Sequence, residues 1–264
     1  MKNGRLVLDG TEMEYIAFGK GEKTLIMIPG LGDGLRTVEG LALPMAAMYR
    51  RFARQYRVLM FSRKERLAEG CTTRDMAADV KAAMDALGVD RADVLGVSQG
   101  GMIAQHLAAD FPERVGKLVL AVTAARPNPV LTAAVERWMA MAERDDYPAL
   151  MEDNFHLMYT ENYLRKYRWL LPAACRVGKP ASWERFLIMA RACLTHNGYE
   201  RLSDIRAETL VIGGALDNVL TGEASAEIAE AIPGSRLLLY PDYGHALYQE
   251  SPDFERDVLE FLMK

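Results

Sequence analysis

Ala92-Asp93-Val94-Leu95-Gly96-Val97-Ser98-Gln99-Gly100-Gly101-Met102-Ile103-Ala104 begins as an apolar strand and leaves as a small-residue helix, Met102 to Ala109. Between them Ser98 stands in the pattern Gly-x-Ser-x-Gly, the mark of a nucleophile elbow. The need for glycine is steric. A sharp turn lifts the hydroxyl clear of the sheet, and side chains two positions either side would collide there. The helix that follows aims its free N–H groups and positive dipole end at the same spot. In isolation the pattern also fits a plain tight turn. Of the seven serines (62, 98, 182, 203, 225, 235, 251), only Ser98 has these neighbours, and it sits between a strand pattern and a helix pattern.

Working outward, the apolar runs Thr24–Ile28, Val58–Phe61, Lys117–Val122 and Thr209–Gly213 read as strands buried on both faces. Helical spacing lies between them: about Leu43 to Tyr56, Arg74 to Leu87 with Gly88 as C-cap, and about Glu223 to Ala231 before Pro233-Gly234. Arg5–Leu8 and Glu12–Phe18 alternate about Asp9-Gly10, an opening hairpin. Ser235–Tyr240 is a last strand and Phe254–Met263 a terminal amphipathic helix. This alternation predicts an α/β fold, with a mostly parallel twisted sheet of eight strands and helices on both faces.

The alternation breaks after Val122. Residues 126–197 show only helical stripes: Leu131 to Met139, Met151 to Met158, Tyr163 to Leu170 stopped by Pro172, and Trp183 to Ala190. They read as a helical cap inserted into a core of 1–125 and 198–264. Most of its apolar residues pack on the core, yet an insertion beside strand ends is also where a lid sits.

The 264 residues carry 50% hydrophobic side chains and a net charge of −4. That suffices for a sizeable core and shows no basic stripe, so nucleic acid is not an expected partner. Met1 to Arg5 lacks the apolar run of a signal peptide, and no stretch approaches the roughly 20 apolar residues that span a membrane. Neither membrane association nor secretion is expected. The three scattered cysteines, Cys71, Cys175 and Cys193, suit a reducing cytoplasm and no disulfide framework. Four histidines without metal-ligand spacing suggest no metal and no cofactor.

A serine hydroxyl needs a base and a group that orients the base. Imidazole, with an unperturbed pKa near 6.5, suits the first task. His245, in the loop after the last strand, is the candidate, because active residues of parallel sheets gather at the carboxyl ends of strands. His106 lies two turns into the elbow helix and points away. His156 sits in the insertion. For His196, beside Asn197-Gly198, capping a helix end is explanation enough. Asp217 follows a strand and suits the orienting role, though Asp in a loop also caps helices. Asp242 is its rival, only three residues before His245.

The chain resembles the α/β-hydrolase superfamily over nearly its whole length outside the insertion. The resemblance rests on Pro29-Gly30-Leu31-Gly32, Gly96 to Gly101, Gly213 to Asp217 and Gly244-His245 before a final helix. The order Ser98, Asp217, His245 matches that family's nucleophile–acid–base order. It implies a helical cap at 126–197, a substrate pocket between cap and core, and an oxyanion hole made by the N–H groups of Leu31 and Gln99. Two departures stand out. Pro29-Gly30 replaces a common His-Gly, tolerable because the contribution is backbone. Phe61-Ser62-Arg63-Lys64-Glu65-Arg66 replaces a common Asp-x-Arg-Gly-x-Gly-x-Ser, so nothing is carried over to that loop. Serine rather than Asp or Cys as nucleophile argues against a dehalogenase or dienelactone-type enzyme.

The leading expectation is a serine hydrolase of a small ester or similar acyl bond, its substrate carrying an apolar moiety. A C–C hydrolase of a diketone-like substrate is the alternative within the same triad, and a non-catalytic ligand-binding protein the alternative outside it. Monomer and homodimer both remain open.

Overall fold

In the computed structural model, which describes all 264 residues, the strands are β1 (Lys2–Leu8), β2 (Thr11–Phe18), β3 (Lys23–Ile28), β4 (Tyr56–Lys64), β5 (Ala92–Val97), β6 (Val115–Ala121), β7 (Glu208–Gly214) and β8 (Arg236–Tyr240). They form one sheet in the order β1-β2-β4-β3-β5-β6-β7-β8. β1–β2 and β2–β4 pair antiparallel, and every later pair is parallel. Two helices, α1 (Ala42–Met48) and α2 (Arg50–Gln55), precede β4. α3 (Thr73–Ala86) precedes β5, and α4 (Gln99–Asp110) leaves it.

Alternation within the buried strands sends neighbouring side chains to opposite layers. Ile26 and Val94 join the apolar cluster that holds Met76, Val80 and Met84 of α3 and Ile103 and Leu107 of α4. Leu25, Met27 and Leu95 join a second cluster with Phe52 of α2 and Phe254, Val258 and Phe261 of the C-terminal helix. Both faces of the sheet are therefore covered, which is why its central strands read as continuous apolar runs.

Between β6 and β7 there is no strand. α5 (Pro129–Glu143), α6 (Tyr147–Met158), α7 (Glu161–Tyr167), α8 (Leu171–Ala174) and α9 (Glu184–Leu194) fill that interval. Then come α10 (Gly222–Ala231), the single turn α11 (Leu247–Glu250) and α12 (Phe254–Met263). Pro172 does not stop a helix. It occupies the first turn of α8, where its missing N–H is no loss. The expected helix at 43–56 is two helices broken at Tyr49 (φ −99°, ψ 43°), and Tyr56 already belongs to β4. β4 also outruns its expected apolar core. Ser62, Arg63 and Lys64 continue it and are buried. No helix is long and apolar enough to cross a membrane.

His196 caps no surface turn; its side chain is buried. Its Nδ1 lies 2.8 Å from Thr73 Oγ1, and its ring stands edge-on to His106 at 5.1 Å. Burial first, and the neighbouring His106 second, push its pKa down to about 3. The unfolded chain takes up this proton as pH falls through about 6.5, whereas the folded chain refuses it. The stability from a neutral His196 is thus complete above pH 6.5 and is lost progressively as pH falls from there toward 3. Urea midpoints measured from pH 8 to pH 4 should fall less steeply for His196→Gln than for the parent. The difference in slope is bounded by one proton, about 1.4 kcal/mol per pH unit.

Candidate active site

β5 ends at Val97, and α4 starts at Gln99. Ser98 alone makes the corner, with φ 55° and ψ −122°, left-handed backbone that side-chain-bearing residues avoid. Its N–H donates to Ala121 O at 2.9 Å, and its carbonyl accepts from Gly101 and Met102 N–H and from Thr123 Oγ1. The strained corner is tied down on every side, so Oγ is held where the turn puts it.

His245 follows β8 on a loop that Leu216 N–H ties to β7 by donating to Tyr243 O at 3.0 Å. Its Nε2 stands 3.0 Å from Ser98 Oγ, and its Nδ1 2.8 Å from Asp217 Oδ2. The other carboxylate oxygen, Asp217 Oδ1, accepts from Val219 N–H at 2.8 Å and Leu220 N–H at 2.9 Å. Asp217 thus both orients the imidazole and holds its own loop. The structure brings Ser98, Asp217 and His245 into one hydrogen-bonded line from positions 119 and 28 residues apart. Asp242 is exposed. His156 is exposed on α6, and His106 is buried against His196.

Leu31 begins a short helical turn (Leu31–Gly34) after β3, and Gln99 begins α4. As first residues of helical turns, neither has an acceptor for its N–H within its own turn. The two loops touch. A Cβ added to Gly30 would stand 3.2 Å from Cβ of Ser98.

Ser98 and His245 open into a cavity of about 470 Å³, and 24 of the 34 residues lining it are hydrophobic. Val97, Met102 and Val219 line it from the sheet side, and Leu131, Val135, Trp138, Leu150 and Phe186 from α5, α6 and α9. The cavity therefore lies between the sheet and these helices, with the serine on its floor.

Sequence reasoning missed a polar cluster behind this floor. Asp33, of the turn that Leu31 opens, accepts from Arg63 N–H at 2.9 Å and from the guanidinium of Arg185 on α9. Arg63 Nη2 donates to Pro29 O and to Gln99 Oε1, the latter at 3.2 Å. Gln99 Nε2 donates to Met189 O at 2.6 Å. The one available signal was that an arginine and a lysine prolong an apolar strand.

A family model described as the alpha/beta hydrolase fold matches residues 23–252. A 2-hydroxy-6-oxo-6-phenylhexa-2,4-dienoate hydrolase of Comamonas testosteroni is 30% identical over 198 residues, covering 70% of this chain and 68% of its own. A 2-hydroxy-6-oxononadienedioate/2-hydroxy-6-oxononatrienedioate hydrolase of Burkholderia vietnamiensis is 28% identical over 282 aligned positions, covering 98% and 94%. Among solved structures, an alpha/beta hydrolase enzyme from a Medee basin deep-sea metagenome superposes with a TM-score of 0.86 at 19% identity, over 99% of this chain and 98% of that one.

Proposed function

The chain belongs to the alpha/beta hydrolase fold family, and on that premise we propose that this enzyme is a serine hydrolase cleaving a small carboxylic ester or similar acyl bond. The observation that carries the reading is the line Asp217–His245–Ser98, with contacts of 2.8 and 3.0 Å. Ser98 Oγ attacks the carbonyl carbon as His245 Nε2 takes its proton. Asp217 fixes the tautomer and stabilises the imidazolium. The N–H groups of Leu31 and Gln99 receive the oxyanion, each such donor being worth on the order of 10²–10³ in rate. His245 returns the proton to the leaving alkoxide, and the carbon–oxygen bond breaks. Water, deprotonated by the same histidine, then attacks the acyl-enzyme and frees the acid and Ser98. No metal or cofactor enters these steps.

The helices from 129 to 194 serve as the cap, and the apolar cavity they close receives an apolar part of a small-molecule substrate. A second reading keeps the triad and changes the bond. The two relatives are named for substrates that join an enol to a ketone, which are diketone-like. This favours C–C hydrolysis as the runner-up.

Labelling with a fluorophosphonate, followed by peptide mapping, tests the nucleophile. One adduct on Ser98, absent from Ser98→Ala, is expected. No adduct on the folded parent defeats the reading and turns attention to ligand binding without turnover. p-Nitrophenyl butyrate against a 2-hydroxy-6-oxo-dienoate, each followed by its chromophore, then separates the two bonds.

A further inference from the structure

We propose that Arg63 is a positioning residue for the oxyanion hole: its buried guanidinium joins the two backbone segments that carry the Leu31 and Gln99 donors and supplies a net positive charge behind them. The inference rests on the serine-hydrolase reading and assigns a role to a residue of the Phe61–Arg66 segment, to which the family resemblance carried nothing over; Arg63 lies at the end of β4.

The geometry is specific. One nitrogen, Nη2, donates both to Pro29 O, two residues before Leu31, and to the side chain of Gln99, whose own N–H is the second donor. A single planar group thus grips both halves of the hole through one nitrogen. From the other side Asp33, in the Leu31 turn, accepts from the Arg63 N–H and is held in turn by Arg185.

The charges do not cancel. Arg63 and Arg185 share the one carboxylate of Asp33, which leaves an excess of one positive charge. Arg63 and Asp33 are each about 3% exposed. Their direct pairing is loose, with Arg63 Nη1 3.9 Å from Asp33 Oδ2. Arg63 Nε, Arg63 Nη1 and Asp33 Oδ1 are the buried side-chain atoms without a hydrogen-bond partner. Burial draws the Arg63 pKa down to about 10, opposed by Asp33, so the guanidinium stays charged at neutral pH. The nearby Cys193 thiol, pushed up to about 12 by burial, brings no negative charge. A fixed cation in a water-poor site acts most strongly on charge that develops during reaction, as on a tetrahedral oxyanion. A bound neutral ester gains little from it, so the effect belongs in kcat rather than KM.

The test uses p-nitrophenyl butyrate for turnover and phenylboronic acid as a tetrahedral anionic mimic. Rates are normalised to active enzyme by fluorophosphonate titration. Arg63→Met should lower kcat by roughly 10²-fold with KM within about threefold, and weaken boronate binding in parallel. Arg63→Lys, which keeps the charge and loses the planar guanidinium, should regain about tenfold of that loss. If Arg63→Met keeps kcat within about threefold of the parent, if lysine rescues nothing, or if boronate affinity is unchanged, the inference is overturned. Should Arg63→Met fail to fold, Gln99→Leu replaces it. That variant frees the second donor from Arg63 and should lower kcat several-fold at constant KM, and an unchanged kcat overturns the positioning role. A parent enzyme that neither labels nor turns over defeats the serine-hydrolase reading instead.

Discussion

Ser98→Ala should lose on the order of 10⁶ in kcat, His245→Ala should lose about as much, and the double variant no more than either. The three results follow from one geometry. The hydroxyl is a useful nucleophile only while Nε2, 3.0 Å away, accepts its proton, and the imidazole is a useful base only while that hydroxyl is present. Removing either removes the shared step, so the second removal finds nothing left to lose. Some catalysis over water should survive, because the Leu31 and Gln99 N–H groups remain in place. Initial rates on p-nitrophenyl butyrate check this, and losses that multiplied in the double variant would mean that the two residues act separately. The same position separates function from stability. At φ 55° Ser98 occupies backbone that costs a non-glycine residue about 1–3 kcal/mol. Ser98→Gly should therefore unfold at a higher temperature than the parent, while Ser98→Ala keeps the strain and should not.

What was legible in the sequence was whatever repeats locally. Val94-Leu95-Gly96-Val97 announces a buried strand because both of its faces meet apolar layers, and Gly-x-Ser-x-Gly announces the corner because only glycine clears it. Asp217 and His245 stand out because each follows a strand, a matter of chain direction alone. The cluster of Arg63, Asp33 and Arg185 is not legible in that way. Arg63 meets Pro29 and Gln99 through Nη2, and its companion Arg185 comes from α9, 122 residues further on. No local period records such a meeting, and a charged residue after an apolar run reads as the strand's end. His196 misled for a related reason. Its neighbours Asn197-Gly198 describe a helix terminus correctly, but they say nothing of Thr73 and His106, which bury the ring. The split of the helix before β4 was likewise invisible, because Tyr49, where it breaks, is apolar enough to belong to either half.

Gly100→Ala puts two local rules in conflict, and their magnitudes decide the outcome. Gly100 lies in the first turn of α4, where helix propensity alone would favour alanine by about 1 kcal/mol. A Cβ at Gly100, however, would stand 1.9 Å from Ile28 O, 2.6 Å from Ile28 C and 2.7 Å from Pro29 O. All three are backbone atoms, so no side-chain rotation relieves the clash. Either α4 or the end of β3 must shift, in a layer packed too densely to give freely. We expect a loss of about 3 kcal/mol or more in urea unfolding, far outside the propensity gain. The shift would fall on the segment Ile28 to Leu31, so activity should drop more than the folded fraction explains. Gly88→Ala is the control. Its φ of +63° is unfavourable to alanine, but its Cβ meets nothing within 4 Å. It should cost only about 1 kcal/mol and leave kcat untouched. Equal penalties at the two glycines would mean that the close approach of Ile28 and Pro29 to Gly100 is relieved cheaply. A larger penalty at Gly100, with its own loss of kcat, would show that this close approach sets the requirement for glycine there, and that the Ile28–Leu31 segment and α4 are held as one unit.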